Sequence, residues 1–118
     1  MESSLTEQIV NSFLECNLPR EKWTHQAHLR VGLWHLLQYG SYESLNKLRN
    51  GIQKYNAACG VENTENQGYH ETITRFYVRL IEGFIQQVDR SQPIDTLAEL
   101  LISRYGERSL LGNYFSKE

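Results

Sequence analysis

Three histidines and a glutamate in this sequence have the types and spacing that divalent-metal sites use. His25 and His28 stand three residues apart in the block WTHQAHL, which places both side chains on one side of a helix. In a later block, GYHET, His70 is followed directly by Glu71. Three imidazoles with one position open to water are a common ligand set of catalytic zinc. We therefore predict a mononuclear divalent-metal site with His25, His28 and His70 as ligands.

Glu71 is the candidate for the chemical step at this site. As a fourth ligand it would complete the coordination shell, and as a general base it would take a proton from metal-bound water. Either role predicts metal-assisted hydrolysis, or a related metal-activated step, with a small molecule as substrate. Imidazoles and a carboxylate suit zinc, iron, nickel and manganese to different degrees, so the identity of the metal is left open.

Residues beside the two histidine blocks are candidates for pocket walls or for support of the ligands. They are Trp23, Tyr69, Thr74 and Tyr77. The aromatic residues among them could equally pack in the core. Thr74 could hydrogen-bond either a ligating imidazole or a carbonyl of its own helix. His35 lies about 10 Å along the helix axis from His28, too far to share an ion, so we predict that His35 is packed in the core or supports the ligands.

Two other functions are compatible with the same residues. The first is a non-catalytic module that binds a small organic ligand through the histidines and aromatics, with an affinity that changes with pH and needs no metal. The second is a structural or partner-binding helical domain, in which the histidines satisfy one another and residues 60–68 or the apolar tail contact a partner. Exposed apolar residues in the tail would favour such an interface or a homodimer; they are Leu110, Leu111, Tyr114 and Phe115.

The helix that carries the first block must hold its histidines in position. At about 100° per residue, His25, His28 and His35 fall within one sector of about 80°. Arg30 is the only charged residue in the stretch 24–40. A helix with so little charge is typically central in a fold, so we predict that its imidazoles are buried. Each buried imidazole would then need a hydrogen-bond partner or a metal, because an unsatisfied polar group costs about 1 to 3 kcal/mol.

The second block opens another amphipathic helix. Its periodicity places His70 on the side that faces the core and Glu71 at the edge between the buried and solvent faces. A small change in the first turn could aim Glu71 either way. Farther along, alternating charges predict a solvated face with i, i+4 ion pairs, formed by Glu71, Arg75, Arg79 and Glu82.

Helical periodicity and helix-capping residues extend over most of the chain. Ser4 and Thr24 are placed to begin helices, whereas proline and glycine fall between the periodic segments. No alternation of apolar and polar residues indicates a strand. We predict an all-α fold, a single-domain bundle of four to five helices over residues 1–118. The expected helices cover about 5–16, 24–40, 41–59, 69–88 and 93–106, with a tail that packs onto the bundle.

Composition excludes several function classes. Of the 118 residues, 40% are hydrophobic and 22% are charged, which suits one folded domain with a sizeable core. The formal net charge is −2 and no cluster of Lys and Arg is present, so we predict no binding to nucleic acid. No apolar run reaches the ~20 residues of a membrane span, and no secretory signal is evident. The spacing of Cys16 and Cys59 indicates neither a zinc ribbon nor a disulfide framework, and we predict a cytoplasmic protein.

Both histidine blocks carry a resemblance to a known family. The segments WTHQAHLRVGLWHL, YNAACGVENTENQGYHETIT and YFS resemble an uncharacterised family of small bacterial proteins that share a W-T-H-x-A-H-L block and a G-Y-H-E-T block. The resemblance implies a bacterial all-α domain and supplies no reaction. In general architecture the chain also looks like the histidine-triad metal bundles of the DinB type, although those proteins take paired histidines from their last helix.

Overall fold

Capping groups and periodic apolar residues produce four α-helices in a computed structural model, which describes residues 4–61 and 69–106. The predicted all-α bundle is confirmed for these residues. The predicted C-terminal tail and most of the predicted 60–68 loop lie outside them. The elements are α1 (Leu5–Leu14), a 3-10 turn (Arg20–Lys22), α2 (His25–Ala58), α3 (Glu71–Gln86) and α4 (Ile94–Tyr105).

Helix α1 is capped at both ends. At its start the Ser4 hydroxyl accepts from the Glu7 amide at 2.9 Å, as the sequence predicted. It ends in a Schellman motif, in which the amides of the two residues beyond the C-cap turn back to carbonyls of the last turn. The Cys16 amide donates to Phe13 at 3.0 Å, and the next amide donates to the carbonyl of Ser12 at 2.9 Å. The motif requires one residue in the left-handed conformation, and Cys16 adopts this conformation with φ 61°.

Helix α2 is broken where the sequence predicted a boundary between two helices. The Thr24 hydroxyl caps its start by accepting from the amide of Ala27 at 3.2 Å. The sequence predicted one helix ending near Gly40 and another beginning at the next residue, and these two helices are the two segments of α2. Gly40 has φ 80° and ψ 172° inside this helix, a conformation open almost only to glycine, so it separates a first segment from a second. Gly60, with φ 82°, follows the C-terminal end of α2.

Helix α2 is the centre of the bundle and packs against each of the other three helices. Its buried apolar residues meet those of α1, α3 and α4 in one core, which includes Phe13, Leu29, Leu33, Tyr55, Ile81, Phe84, Leu97 and Leu101. The central position predicted from the scarcity of charge is therefore confirmed. In the described ranges, none of the helices has the length and apolar character that crossing a bilayer requires.

One buried charge joins three of the helices. Arg30 on α2 is only 6% exposed. Its guanidinium donates to the Thr6 hydroxyl of α1 at 2.8 Å and to the Glu99 carboxylate of α4 at 2.7 Å. The Asp95 carboxylate of α4, 3.5 Å from Arg30, also accepts from the first two amides of α1 at 2.9 Å. This network compensates the burial of Arg30 and fixes α1 and α4 on α2.

Candidate functional site

Residues from both histidine blocks line a pocket of about 340 Å³ between α2 and α3, which we call the histidine pocket. The lining includes the three histidines predicted as metal ligands and all the predicted wall residues, but not Glu71, the predicted fourth ligand or base. Its polar and aromatic wall consists of Trp23, Thr24, His25, His28, Tyr69, His70, Thr74 and Tyr77. An apolar wall comes from both helices and includes Leu29, Val31, Ile73, Val78 and Ile81.

His28 lies at the mouth of this pocket. Its Nδ1 donates to the Thr24 carbonyl at 2.6 Å, and its ring stacks on the indole of Trp23 with 3.8 Å between centroids. Trp23 stacks in turn on Phe13 of the core at 4.8 Å. Because a carbonyl oxygen only accepts, Nδ1 carries a hydrogen, and Nε2 is the basic nitrogen of the neutral ring. The predicted burial of this imidazole is wrong, since the ring is exposed at the first turn of α2.

His25 is half-buried and contacts the end of α4. Its Nε2 donates to the carbonyl of Tyr105 at 3.1 Å, which satisfies an acceptor in the last turn of that helix. The ring also meets Tyr77 edge-on at 5.5 Å between centroids. With Nε2 protonated, the basic nitrogen of the neutral His25 ring is Nδ1.

His70 is the N-cap residue of α3, and its side chain is exposed. The sequence predicted that it faces the core. As the N-cap it has extended backbone dihedrals and stands outside the helical periodicity on which that prediction relied. Its carbonyl accepts from both the amide of Thr74 at 3.0 Å and the Thr74 hydroxyl at 2.9 Å. Two alternative hydrogen bonds were predicted for the Thr74 hydroxyl, and the structure contains the one to a carbonyl at the start of its own helix.

The three pocket imidazoles do not form a preassembled metal site. In the described parts of the chain, no three side chains of His, Cys, Asp or Glu are grouped so that they could hold one ion. The ring nitrogens Nε2 of His25 and Nδ1 of His28 already donate to carbonyls. Coordination of one ion would therefore need the other ring nitrogens and a rearrangement of the exposed side chains. The metal site stays a prediction.

Glu71 is held in a polar cluster beside the pocket. Arg49 of α2 donates to both of its carboxylate oxygens, at 2.8 and 2.6 Å. Tyr69 donates at 2.7 Å and Arg75 at 2.7 Å. These hydrogen bonds, Arg49 first, lower the pKa of Glu71 from its usual 4.5 to about 2. A carboxylate with so low a pKa is a poor general base, so the structure does not favour the predicted role of Glu71 in proton transfer.

This cluster gives Glu71 a positioning role. It joins the second segment of α2 to the start of α3 and holds the Tyr69 hydroxyl, whose ring lines the pocket. Sequence reasoning missed Arg49 because nothing in its helical spacing marks it as the partner of a residue beyond the next loop. The contact between Glu71 and Arg75 is the i, i+4 pair that the charge pattern predicted.

The histidine pocket combines an apolar wall with polar groups that carry no permanent charge. Of the residues that the structure describes along its wall, none is Lys, Arg, Asp or Glu. Its polar groups are imidazoles and hydroxyls, which can both donate and accept hydrogen bonds. Such a surface suits an uncharged molecule that hydrogen-bonds at one end and packs against aliphatic side chains at the other.

Comparison with known proteins identifies no relative of this chain. No family model, no curated protein and no solved structure matches it.

Proposed function

We propose that this protein binds a small, uncharged organic molecule in the histidine pocket. The observation that supports the proposal is the convergence of residues from two separated sequence blocks on one concave surface. Ligand sites typically combine an apolar wall with a few polar groups that fix the orientation of the ligand. Here aliphatic side chains of α2 and α3 provide the first, and His25, His28 and His70 provide the second.

The apolar wall is formed where α2 and α3 approach each other closely. A Cβ at Gly32 would lie 2.8 Å from Cδ1 of Ile81, so the absence of a side chain at Gly32 allows this approach. A flat apolar group of the ligand would pack against Ile81 and Ile73. Its polar group would hydrogen-bond to the imidazoles and hydroxyls of the lining, which can both donate and accept.

The proposal is limited to binding. In the hydrolysis predicted from the sequence, Glu71 would take a proton from metal-bound water. Since Arg49, Tyr69 and Arg75 all donate to this carboxylate, we assign no proton transfer to it.

A divalent metal ion is the second candidate occupant. The bond from His28 Nδ1 to a backbone carbonyl favours it, because this arrangement commonly fixes the tautomer of a ligating histidine. Nε2 of His28 and a nitrogen of His70 would be ligands, together with Nδ1 of His25. Zinc, iron, nickel and manganese all accept imidazole ligands.

The deciding experiment screens both kinds of occupant. Uncharged aromatic amides and phenols are screened by ligand-observed NMR, and zinc, iron(II), nickel and manganese salts are titrated by calorimetry. We expect an organic ligand whose Kd rises about tenfold in His28→Ala and in His70→Ala, because each loses a hydrogen bond at the mouth. Gln26→Ala is the matched control, since this exposed residue lies in the same turn of α2 and does not line the pocket.

The outcomes separate the candidates. Organic ligand binding that persists in EDTA supports the main proposal. Stoichiometric metal binding that is lost in both histidine variants, without organic ligand binding, would make the metal ion the occupant. Organic ligands that bind His28→Ala and His70→Ala as tightly as the control Gln26→Ala would contradict the proposed site.

A further inference from the structure

A second pocket of about 340 Å³ lies between the end of α1 and the two segments of α2. We call it the lysine pocket. Trp34, His35 and Tyr39 line it from the first segment, and Lys47, Asn50 and Lys54 from the second. It therefore lies across the break in α2 at Gly40, and it shares no lining residue with the histidine pocket.

Both charged residues in the described lining of the lysine pocket are positive. Lys47, Asn50 and Lys54 are spaced at i, i+3 and i+7, so they form one stripe on the second segment. Neither lysine forms an ion pair with any residue in 4–61 or 69–106. No described residue in the lining is Asp or Glu. Two ammonium groups and a side-chain amide thus face a pocket that contains no acidic group.

The position of Lys47 is defined by an aromatic ring. Its Nζ lies 4.6 Å from the ring centroid of Tyr39, a cation-π contact across the break in the helix. Tyr39 also meets Trp34 edge-on at 6.0 Å between centroids. The ammonium group is therefore adjacent to flat apolar surfaces, which is the combination that an aromatic anion would use.

His35 is the buried polar group of this pocket. It is 2% exposed, and its Nδ1 donates to the carbonyl of Val31 at 2.8 Å. Burial lowers the pKa of His35, with the Val31 hydrogen bond opposing and the Lys47 charge adding to the effect. The imidazole is consequently neutral at pH 7, and the positive charge of the pocket comes from Lys47 and Lys54.

We propose that the lysine pocket binds a small organic anion that has a flat apolar body. Its anionic head, a carboxylate or a phosphate, contacts Lys47 and Lys54 and accepts from the amide of Asn50. The body packs against Trp34 and Tyr39. Because the two pockets have no residue in common, this site is independent of the function proposed above.

The test uses three probes that share one ring system. 2-Naphthoate and 2-naphthamide differ in charge and almost nothing else, and 2-naphthyl phosphate carries the alternative head group. Affinities are measured by calorimetry, and the site is mapped by amide chemical-shift changes. At the lysine pocket, followed by titrating the amide shifts of His35, Asn50 and Gly51, we expect both anions to bind at least about tenfold more tightly than 2-naphthamide. The tighter of the two anions identifies the head group.

Variants connect the affinity to the lysines. The double variant Lys47→Gln, Lys54→Gln removes both charges from exposed positions, and thermal melting verifies that it folds. We expect its Kd for 2-naphthoate to rise at least about tenfold, with no change for 2-naphthamide. Lys22→Gln is the matched control, because Lys22 is exposed and outside the pocket lining. His28→Ala should leave 2-naphthoate binding unchanged.

Four results would overturn this proposal. The first is that neither anion binds measurably, and the second is that 2-naphthoate and 2-naphthamide have equal affinity at the lysine pocket. The third is an unchanged Kd for 2-naphthoate in the double lysine variant. The fourth is a set of shifts centred on Trp23 and Thr74 instead of His35, which would place the anion in the histidine pocket.

Discussion

The two pockets have the same volume, about 340 Å³, but one lining has no charged side chain and the other has two lysines. The histidine pocket lies between two helices and has polar groups without fixed charge. The described lining of the lysine pocket has two ammonium groups and no Asp or Glu, and most of its wall comes from one helix on either side of Gly40. Helix α2 thus contributes to two pockets with different polar groups, because it is long, central and broken at Gly40.

His28 and His35 form the same local hydrogen bond but differ in burial. Each uses Nδ1 to donate to the carbonyl four residues earlier, Thr24 at 2.6 Å and Val31 at 2.8 Å. The local bond is the same, yet one ring is exposed on Trp23 and the other is buried. The surroundings of a histidine are therefore decided by the packing of other helices and not by its own turn.

Removing each ring tests this difference and has the largest expected effect. His35→Ala leaves a cavity in the core and should lower the free energy of unfolding by about 2 to 4 kcal/mol. His28→Ala removes an exposed ring and should cost about 1 kcal/mol or less. Urea denaturation measures both values, and equal losses for the two variants would contradict the comparison.

Glu71→Gln has the next largest expected effect and should act on one pocket only. The change keeps the shape of the side chain and weakens the ion pairs with Arg49 and Arg75. Because the carboxylate side chain is 36% exposed, water screens these pairs. We therefore expect a loss of about 1 to 2 kcal/mol in unfolding free energy.

The same variant should weaken organic ligand binding in the histidine pocket, since the Glu71 carboxylate holds Tyr69. Binding of 2-naphthoate in the lysine pocket should not change. Glu43→Gln is the control, because Glu43 is exposed and lines neither pocket. A similar weakening of both ligands in Glu71→Gln would show that the cluster supports the whole fold and not one pocket.

The smallest expected effects are two losses of stability in acid, one for each pocket. Burial lowers the pKa of His35 from 6.5 in the folded chain, so the unfolded chain binds the proton more readily. The stability associated with His35 is present above pH 6.5 and is lost as the pH falls toward the folded pKa. That of Glu71 is present above pH 4.5 and is lost as the pH falls toward 2.

Each variant should remove one of these pH dependences. His35→Asn keeps a donor for the Val31 carbonyl but does not titrate, and it should remove the loss below pH 6.5. Glu71→Gln should remove the loss below pH 4.5. Urea midpoints measured at half-unit pH intervals test both expectations. A curve for His35→Asn that parallels the unchanged protein between pH 7 and 5 would exclude His35 as the cause.

Local signals in the sequence predicted much of the fold. Ser4 and Thr24 accept the amide hydrogen bonds that their types indicate, and Gly40 marks the break in α2. These features depend on contacts within one turn, where residue type decides the geometry. The periodicity of the two histidine blocks also indicated residues that line one pocket, because a helical stripe faces a single neighbour.

Other features depend on residues that are distant in sequence. The direction of Glu71 is decided by Arg49, and the burial of Arg30 depends on carboxylates of α4. The exposure of His28 depends on how α1 and Trp23 pack beside it. The lysine pocket needs the break at Gly40 to bring two segments of α2 around one space. Helical periodicity alone carries no information about such pairings.

The Schellman motif at the end of α1 shows where this protein is not optimised for stability. The same pattern of amide bonds follows α2, where Gly60 supplies the left-handed residue without a side-chain penalty. At Cys16 the backbone accepts about 1 to 2 kcal/mol of strain, and the thiol side chain forms part of the lysine pocket wall. A glycine would relieve this strain and enlarge the lysine pocket, so at this position the shape of the pocket and the stability of the chain favour different residues.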